Sequence, residues 1–264
     1  MVDALDKSIG ALMEALEAES MLENTIIVFS SDNGGDPYTS VRNTGYNWPL
    51  RGIKSTLWEG SVRVPAFLWN AQLVQSPRVS NQLMHITDWL PTLYSAAGGD
   101  VTNLGALDGF DMWQALSLNL LSPRTEILLN IDNELGVAAL RYGEFKLVVG
   151  SNGDASDDRF PIPGFNRPVN DLDFLLQQSK TAAVLRRFYA DERPVGFGIN
   201  VSRQSVIVTC GNLPFSDFVT GEIYYLFHLA QDPCELHNIA LQRPDVSTLL
   251  STSPPSRTSD FSTL

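Results

Sequence analysis

The first hydrophobic pattern along the chain is helical. Leu5, Ile9, Leu12, Met13 and Leu16 recur at three- and four-residue spacing, which predicts an amphipathic helix over about 2–19 with Glu14, Glu17 and Glu19 on its other face. After a polar break at Glu23-Asn24, Thr25-Ile26-Ile27-Val28-Phe29 is an unbroken β-branched and aromatic run. Such a run predicts a strand buried on both faces, as in a parallel sheet. It ends in Ser30-Ser31-Asp32-Asn33-Gly34-Gly35. Residues 36–52 read as a loop rich in Pro, Gly, Asn and Thr, and 58–69 as a short strand pair or a strand with a turn. A helix opens within His85 to Tyr94, with Thr87 or Asp88 as its cap, Pro91 tolerated in its first turn and Gly98-Gly99 as its stop. A second short helix runs from about Met112 to Leu118, capped by Asp111.

From about residue 126 the texture changes to short strand-like runs: 126–131, 137–141 and 145–149, the last two joined at Gly143 as a hairpin. Residues 151–171 are loop-like, a helical stretch is expected near 172–190, and Tyr224-Tyr225-Leu226-Phe227 reads as a strand that turns at Asp232-Pro233. The texture divides the chain into a part over 1–125, a part over 126–245 and a disordered tail expected over 246–264. The stretch 151–222 carries no functional signal.

Composition narrows the classes. The chain has 264 residues, 44% hydrophobic and 18% charged, which is the balance of a globular protein with a sizeable core. A net charge of -12 argues against a nucleic-acid backbone as partner, while leaving room for an anionic small substrate in a local cationic pocket. No run of about 18 apolar residues predicts a membrane span. The N-terminus lacks a cationic start followed by an apolar block, so the chain as given reads as having no signal peptide. Cys210 and Cys234 fit either one disulfide or two buried thiols, and their spacing is not that of a metal site.

The candidate chemistry begins at Asp32-Asn33, adjacent oxygen donors at a strand end, where open α/β sheets place their sites. Oxygen-only ligation suits Ca²⁺ or Mg²⁺. Alone, Asp-Asn-Gly-Gly is equally good turn chemistry. Its context is more specific. Asn47-Trp48-Pro49-Leu50-Arg51-Gly52-Ile53-Lys54 and Leu57-Trp58-Glu59-Gly60-Ser61-Val62-Arg63 follow, then His85 to Leu93 and Leu107-Asp108-Gly109-Phe110-Asp111. These blocks, over about residues 1–150, resemble the type I sulfatases of the alkaline-phosphatase-like superfamily, in particular the arylsulfatase B-like group. Asp232-Pro233-Cys234-Glu235-Leu236-His237-Asn238 is similar to that family's C-terminal Asp-Pro-x-Glu-x-x-Asn signature.

The resemblance implies an α/β fold: over 1–125 the C-terminal part of an alkaline-phosphatase-like catalytic domain with a mixed, mostly parallel sheet, followed over 126–245 by a small α+β subdomain with an antiparallel sheet. It implies that Asp32 and Asn33 are calcium ligands and that Lys54 contacts the sulfate group and the ester oxygen. Arg51, Glu59 and Arg63 are then expected as an ion-paired scaffold around the Lys54 loop, and His85 as a packing or capping residue. Ser61 stands where the family usually has a second glycine.

The resemblance also exposes an absence. The family's formylglycine nucleophile arises from the Cys, or in some bacterial members a Ser, of Cys-x-Pro-Ser-Arg, and neither Cys210-Gly211-Asn212 nor Cys234-Glu235-Leu236 offers that motif. The family's first aspartate pair and remaining sulfate contacts fall before the region matching Met1. The expectation is therefore a C-terminal half of a Ca²⁺-dependent sulfuric ester hydrolase, inactive alone, acting on a sulfate-ester small molecule or a sulfated glycan. The competing expectation is a non-catalytic remnant or cation-binding interaction module. A phosphatase of the same superfamily is disfavoured by Asn33, where such enzymes carry His. Resemblance implies a lysosomal or secreted parent protein, in which the sequon Asn200-Val201-Ser202 could be glycosylated.

Overall fold

The computed structural model describes residues 2–37, 45–150, 172–189, 207–210 and 222–252. They form two units, each gathered from separate stretches. The first draws on Met1–Ser30, Ala66–Ser80 and Phe165–Ile207, the second on Ser31–Pro65, Asn81–Gly164 and Val208–Leu264.

In the first unit, α1 (Val2–Ala18) carries the predicted apolar stripe and packs against α6 (Lys180–Phe188). Met13, Leu22 and Val184 are buried between them, with Ile9, Leu16, Leu185 and Phe188 around them. The single helix expected near 172–190 is two, α5 (Leu172–Gln178) and α6, because Ser179 leaves helical geometry and its hydroxyl accepts the Ala182 N–H, capping α6. The predicted strand is β1 (Ile26–Ser30), but its partner is β2 (Ala66–Asn70), antiparallel, and its residues are half-buried rather than enclosed. Ile27 lies opposite Trp69 and Phe29 opposite Phe67, so these four share a face, and Ile27 and Trp69 join the core of α1 and α6. That single covered face is the physical reason for the half-burial: an apolar run reports strand preference, not the direction or number of its neighbours.

The second unit centres on a four-stranded antiparallel sheet ordered β3-β4-β5-β6, from β3 (Glu126–Asp132), β4 (Val137–Tyr142), β5 (Phe145–Val149) and β6 (Tyr224–His228). The expected hairpin is present. Tyr142 pairs with Phe145 across Gly143-Glu144, and Gly143 takes φ 54, the positive φ that glycine adopts without strain. Side chains alternate between two buried faces. Ala138, Leu140, Leu147, Val149 and Leu226 pack with Ala240 on one face, beside Ile239 and Val246 of α7 (Pro244–Thr252). Val137, Ala139, Val148, Tyr225 and Phe227 meet Leu57 and Trp58 on the other. α7 occupies the start of the stretch that reads in sequence as a tail.

The second unit also holds α2 (Glu59–Val62), α3 (Trp89–Ala96) and α4 (Trp113–Leu118). The 58–69 segment is thus one helical turn and then β2, rather than a strand pair. The caps differ from the expectation. Asp88 stands at the N-cap of α3 without a side-chain cap bond; its carboxylate instead accepts the His85 N–H at 2.7 Å, closing a capping box on the 3-10 turn Ile86–Asp88 ahead of α3. Asp111 lies one residue before the N-cap of α4, Met112, and accepts the Trp113 N–H at 2.8 Å. No helix among the described residues is long and apolar enough to cross a membrane. Cys210 and Cys234 form a disulfide, which resolves the choice the sequence left open. The sequon at Asn200 lies outside the described residues.

Candidate functional site

The chain leaves β1 into the turn that carries Asp32, exposed, and Asn33, half-buried. The Asn33 side-chain amide donates to the Gly34 carbonyl at 2.7 Å, which leaves its own oxygen as an acceptor. The Ser31 hydroxyl donates to the Asn33 carbonyl at 3.1 Å. These two bonds fix the turn from within.

Four further bonds tie that turn to the loop bearing Lys54. The Gly34 N–H donates to the Ser61 carbonyl at 2.8 Å. The Gly35 N–H donates to Asn47 Oδ1 at 2.7 Å, and Asn47 Nδ2 donates back to the Gly35 carbonyl at 2.8 Å. The same carbonyl accepts the Lys54 N–H at 3.1 Å, and Asn47 Nδ2 also reaches the Gly52 carbonyl at 3.0 Å. Lys54 and the Asp32-Asn33 turn are therefore joined through one peptide group, with Asn47 as the clamp. The Lys54 side chain is exposed.

Glycine is obligatory in this contact. A Cβ on Gly34 would lie 1.7 Å from the Gly60 carbonyl oxygen. Any side chain there would push the turn off the loop. Ser61 fits in place of the usual glycine because it lies in the helical turn α2, without positive φ.

The loop rests on a buried ionic cluster. Lys146, on the Trp58-facing side of β5, is wholly buried, with its ammonium 3.1 Å from Glu59 Oε1 and 2.7 Å from Glu235 Oε1. Glu235 Oε2 accepts the Glu59 N–H at 2.7 Å, which satisfies the first amide of α2. Arg51 donates from Nη1 to the Glu235 carbonyl at 2.8 Å and lies over the Trp58 ring, 5.1 Å from its centre. Burial pushes the Glu235 carboxyl up to about 7; Lys146 opposes that rise and the neighbouring Glu59 adds to it. Burial pushes Glu59 in the same direction, but Lys146 and then Arg141 hold it below the usual range.

The expected scaffold is present in part. Arg51 and Glu59 are buried beneath the loop, whereas Arg63 is exposed. The Glu59 ion-pair partner is Lys146, 87 residues away. His85 caps, as expected. Burial and then Arg124 hold its imidazole below the usual value, against Asp88 and Asp108.

The C-terminal motif has a structural reading at each polar position. Asp232 accepts the Leu236 and His237 N–H groups at 2.9 and 2.8 Å. Asn238 accepts the Leu226 N–H at 3.0 Å and donates to the Tyr224 carbonyl at 2.9 Å, extending the hydrogen bonding of β6. Glu235, at φ 57 between them, turns into the cluster.

The sulfatase family model matches residues 1–99. Arylsulfatase J of Mus musculus is 45% identical over 171 residues, and arylsulfatase A of Homo sapiens 35% identical over 163. Residues 1–99 thus match the sulfatase family, and the chain is similar to these arylsulfatases. These alignments cover 58% and 60% of the chain but 28% and 31% of the two relatives, so it spans less than a third of their length. Among solved structures, the crystal structure of Ps i-CgsB is similar with a TM-score of 0.58 at 22% identity, over 94% of this chain and 39% of that one. A structure in complex with its substrate D-glucosamine-2-N,6-O-disulfate has a TM-score of 0.54 at 16% identity, over 94% and 37%. These likenesses show that the chain shares the α/β fold of those structures.

The structure brings Asp32, Asn33 and Lys54 onto two loops clamped together. Sequence reasoning missed Asn47, Lys146 and Glu235 as the parts that clamp and support those loops. One signal was available: a lysine inside the apolar run Phe145–Val149 demands a buried counter-charge.

Proposed function

We propose that this chain contributes to a sulfuric ester hydrolase of the arylsulfatase type, with Lys54 contacting the sulfate group and the ester oxygen. The observation that carries the reading is the bond from the Lys54 amide to the Gly35 carbonyl at 3.1 Å, two residues beyond Asn33. It places a cationic side chain on the loop clamped to an oxygen-donor turn. Cleavage of a sulfate ester builds negative charge on the bridging oxygen, and an ammonium there stabilises it.

Asp32 and Asn33 fit Ca²⁺ in kind. Both present oxygen, and the Asn33 amide nitrogen is already engaged with Gly34. They do not suffice in number, since Ca²⁺ takes about six to eight oxygens. No group of three or more His, Cys, Asp or Glu gathers among the described residues. The remaining ligands are assigned to residues outside this chain, and so is the formylglycine nucleophile. Bound there, the ion would act as a Lewis acid on the non-bridging oxygens. A sulfated sugar is the substrate class best supported, since one fold relative is solved with D-glucosamine-2-N,6-O-disulfate. The Cys210–Cys234 disulfide supports maturation in an oxidising compartment, in line with a lysosomal or secreted protein.

A second reading is a non-catalytic cation-binding module. Cys210 and Cys234 are joined to each other and neither lies in a Cys-x-Pro-Ser-Arg motif, so they offer no formylglycine precursor.

Amine acylation mapped by peptide mass spectrometry separates these readings. An aryl sulfate should slow modification of Lys54 but not of Lys7 or Lys180, whose side chains are 68% and 53% exposed. Added Ca²⁺ should strengthen that protection, and the chain alone should release no sulfate. Equal modification of all three lysines would overturn the role of Lys54.

A further inference from the structure

Glu235 joins three separate stretches of chain inside the second unit. Its carboxylate meets Lys146 of β5 and the first amide of α2, and its carbonyl accepts from Arg51. The side chains of Lys146 and Glu235 are 0% exposed and that of Glu59 4%. Two carboxylates thus share one ammonium without access to water. An unbalanced charge in such a place is costly, and binding a proton removes it. The surroundings say which carboxylate takes the proton. Glu59 has the nearby positive charges of Lys146, Arg141 on β4 and Arg63 to hold it ionised. Glu235 has Lys146 and faces Glu59, while the Arg51 contact goes to its backbone carbonyl.

We propose that Glu235 is the proton-binding member of a buried latch that positions the Lys54-bearing loop, closed when protonated and loosened when ionised. The protonated carboxyl still accepts the Glu59 N–H through its carbonyl oxygen and leaves Lys146 paired with Glu59 alone. Loss of that proton to solvent places a second negative charge beside Glu59 and weakens the hold of α2 on the sheet. The burial-driven rise of Glu235 to about 7 puts the change near neutrality. The latch does not depend on what Lys54 contacts, so it stands or falls separately from the sulfatase chemistry.

Infrared difference spectroscopy on the whole chain tests it. At about pH 5.5 the wild type should show the carbonyl stretch of a buried protonated carboxyl, lost as the pH is raised through about 7–8. Glu235→Gln, a neutral isostere, should lack that band. Hydrogen exchange of the Gly60 and Glu59 amides, corrected for intrinsic rates, should speed up several-fold over the same interval in the wild type and stay constant in the variant. A wild-type spectrum without a protonated buried carboxyl across this range overturns the proposal, whether or not the variant folds. So does a band that persists in Glu235→Gln.

Discussion

Asp88 and Arg124 form a two-point ion pair wholly inside the second unit, 36 residues apart in sequence. Arg124 Nε donates to Asp88 Oδ2 at 2.8 Å while Nη2 meets Oδ1, and the two side chains are 7% and 0% exposed. The guanidinium also donates to the Asp108 and Glu126 carbonyls at 2.8 and 3.0 Å. Asp88 in turn receives the Phe110 N–H at 2.8 Å. This pair ties the start of β3 to the cap of α3. Arg124→Met strands the Asp88 carboxylate in a buried site, so it should cost about 3–5 kcal/mol. Chemical denaturation reads it. A loss below about 1 kcal/mol would mean water reaches Asp88.

The clamp at Asn47 gives a second expectation. Asn47→Asp keeps the acceptor for the Gly35 N–H but sets a carboxylate against the Gly35 and Gly52 carbonyls, which now receive amide protons. Three bonds become one plus two repulsions, and each lost bond is worth about 1 kcal/mol. The Lys54 amide, bonded to the same Gly35 carbonyl, should lose exchange protection by tenfold or more while α1 amides stay unchanged. Asn47→Asp with wild-type protection at Lys54 would show that the loops hold without the clamp.

Lys54 itself should be dispensable for folding. Its side chain is exposed, and its bond to Gly35 is made by the backbone, which any residue but proline can supply. Lys54→Gln should leave stability within about 0.5 kcal/mol, as surface substitutions do. It should also weaken retention of an aryl sulfate at least tenfold by titration calorimetry. Unchanged affinity would remove Lys54 from the site.

Periodicity placed α1, and β-branched runs placed β3, β4 and β5 along with the turn at Gly143, because those signals are local. Strand direction is not local. β1 reads as a strand, yet β2, which it pairs with, begins 36 residues beyond Ser30, at Ala66. Asp32, Asn33 and Lys54 were legible only through resemblance, since exposed polar residues on loops look alike in one sequence. The clamping role of Asn47, a residue within a readable block, was invisible for a different reason: its work is to satisfy backbone groups of Gly35 and Gly52, which depend on how two loops meet. Glu235 lay within a readable motif, but its partner Lys146 comes from another strand.

His85 carries a pH expectation of opposite sign to Glu235. Burial and then Arg124 hold its imidazole below its usual value, so the folded state prefers the neutral ring. The stability this gives is present above the ordinary histidine value of about 6.5 and is lost as pH falls through the lower folded value. His85→Gln should therefore flatten the acid side of the stability profile below about pH 6. A ring midpoint at or above about 6.5 by NMR titration would contradict the environment described.

The disulfide closes 24 residues between Cys210 and Cys234, and Cys234 is fully buried next to the latch residue Glu235. Cross-linking a stretch of that length removes unfolded-state freedom worth about 3 kcal/mol in the chain-entropy account. The paired variant Cys210→Ala/Cys234→Ala avoids leaving one thiol behind and should lose about that much stability. Its native-state exchange should rise most at Glu235 to His237, because the bond anchors the turn whose amides Asp232 receives. Reductant should act slowly on the folded protein and faster in denaturant, since a thiolate must reach a buried sulfur. If the double variant kept wild-type stability and exchange, the motif would be held by Asp232, Glu235 and Asn238 without the covalent tie.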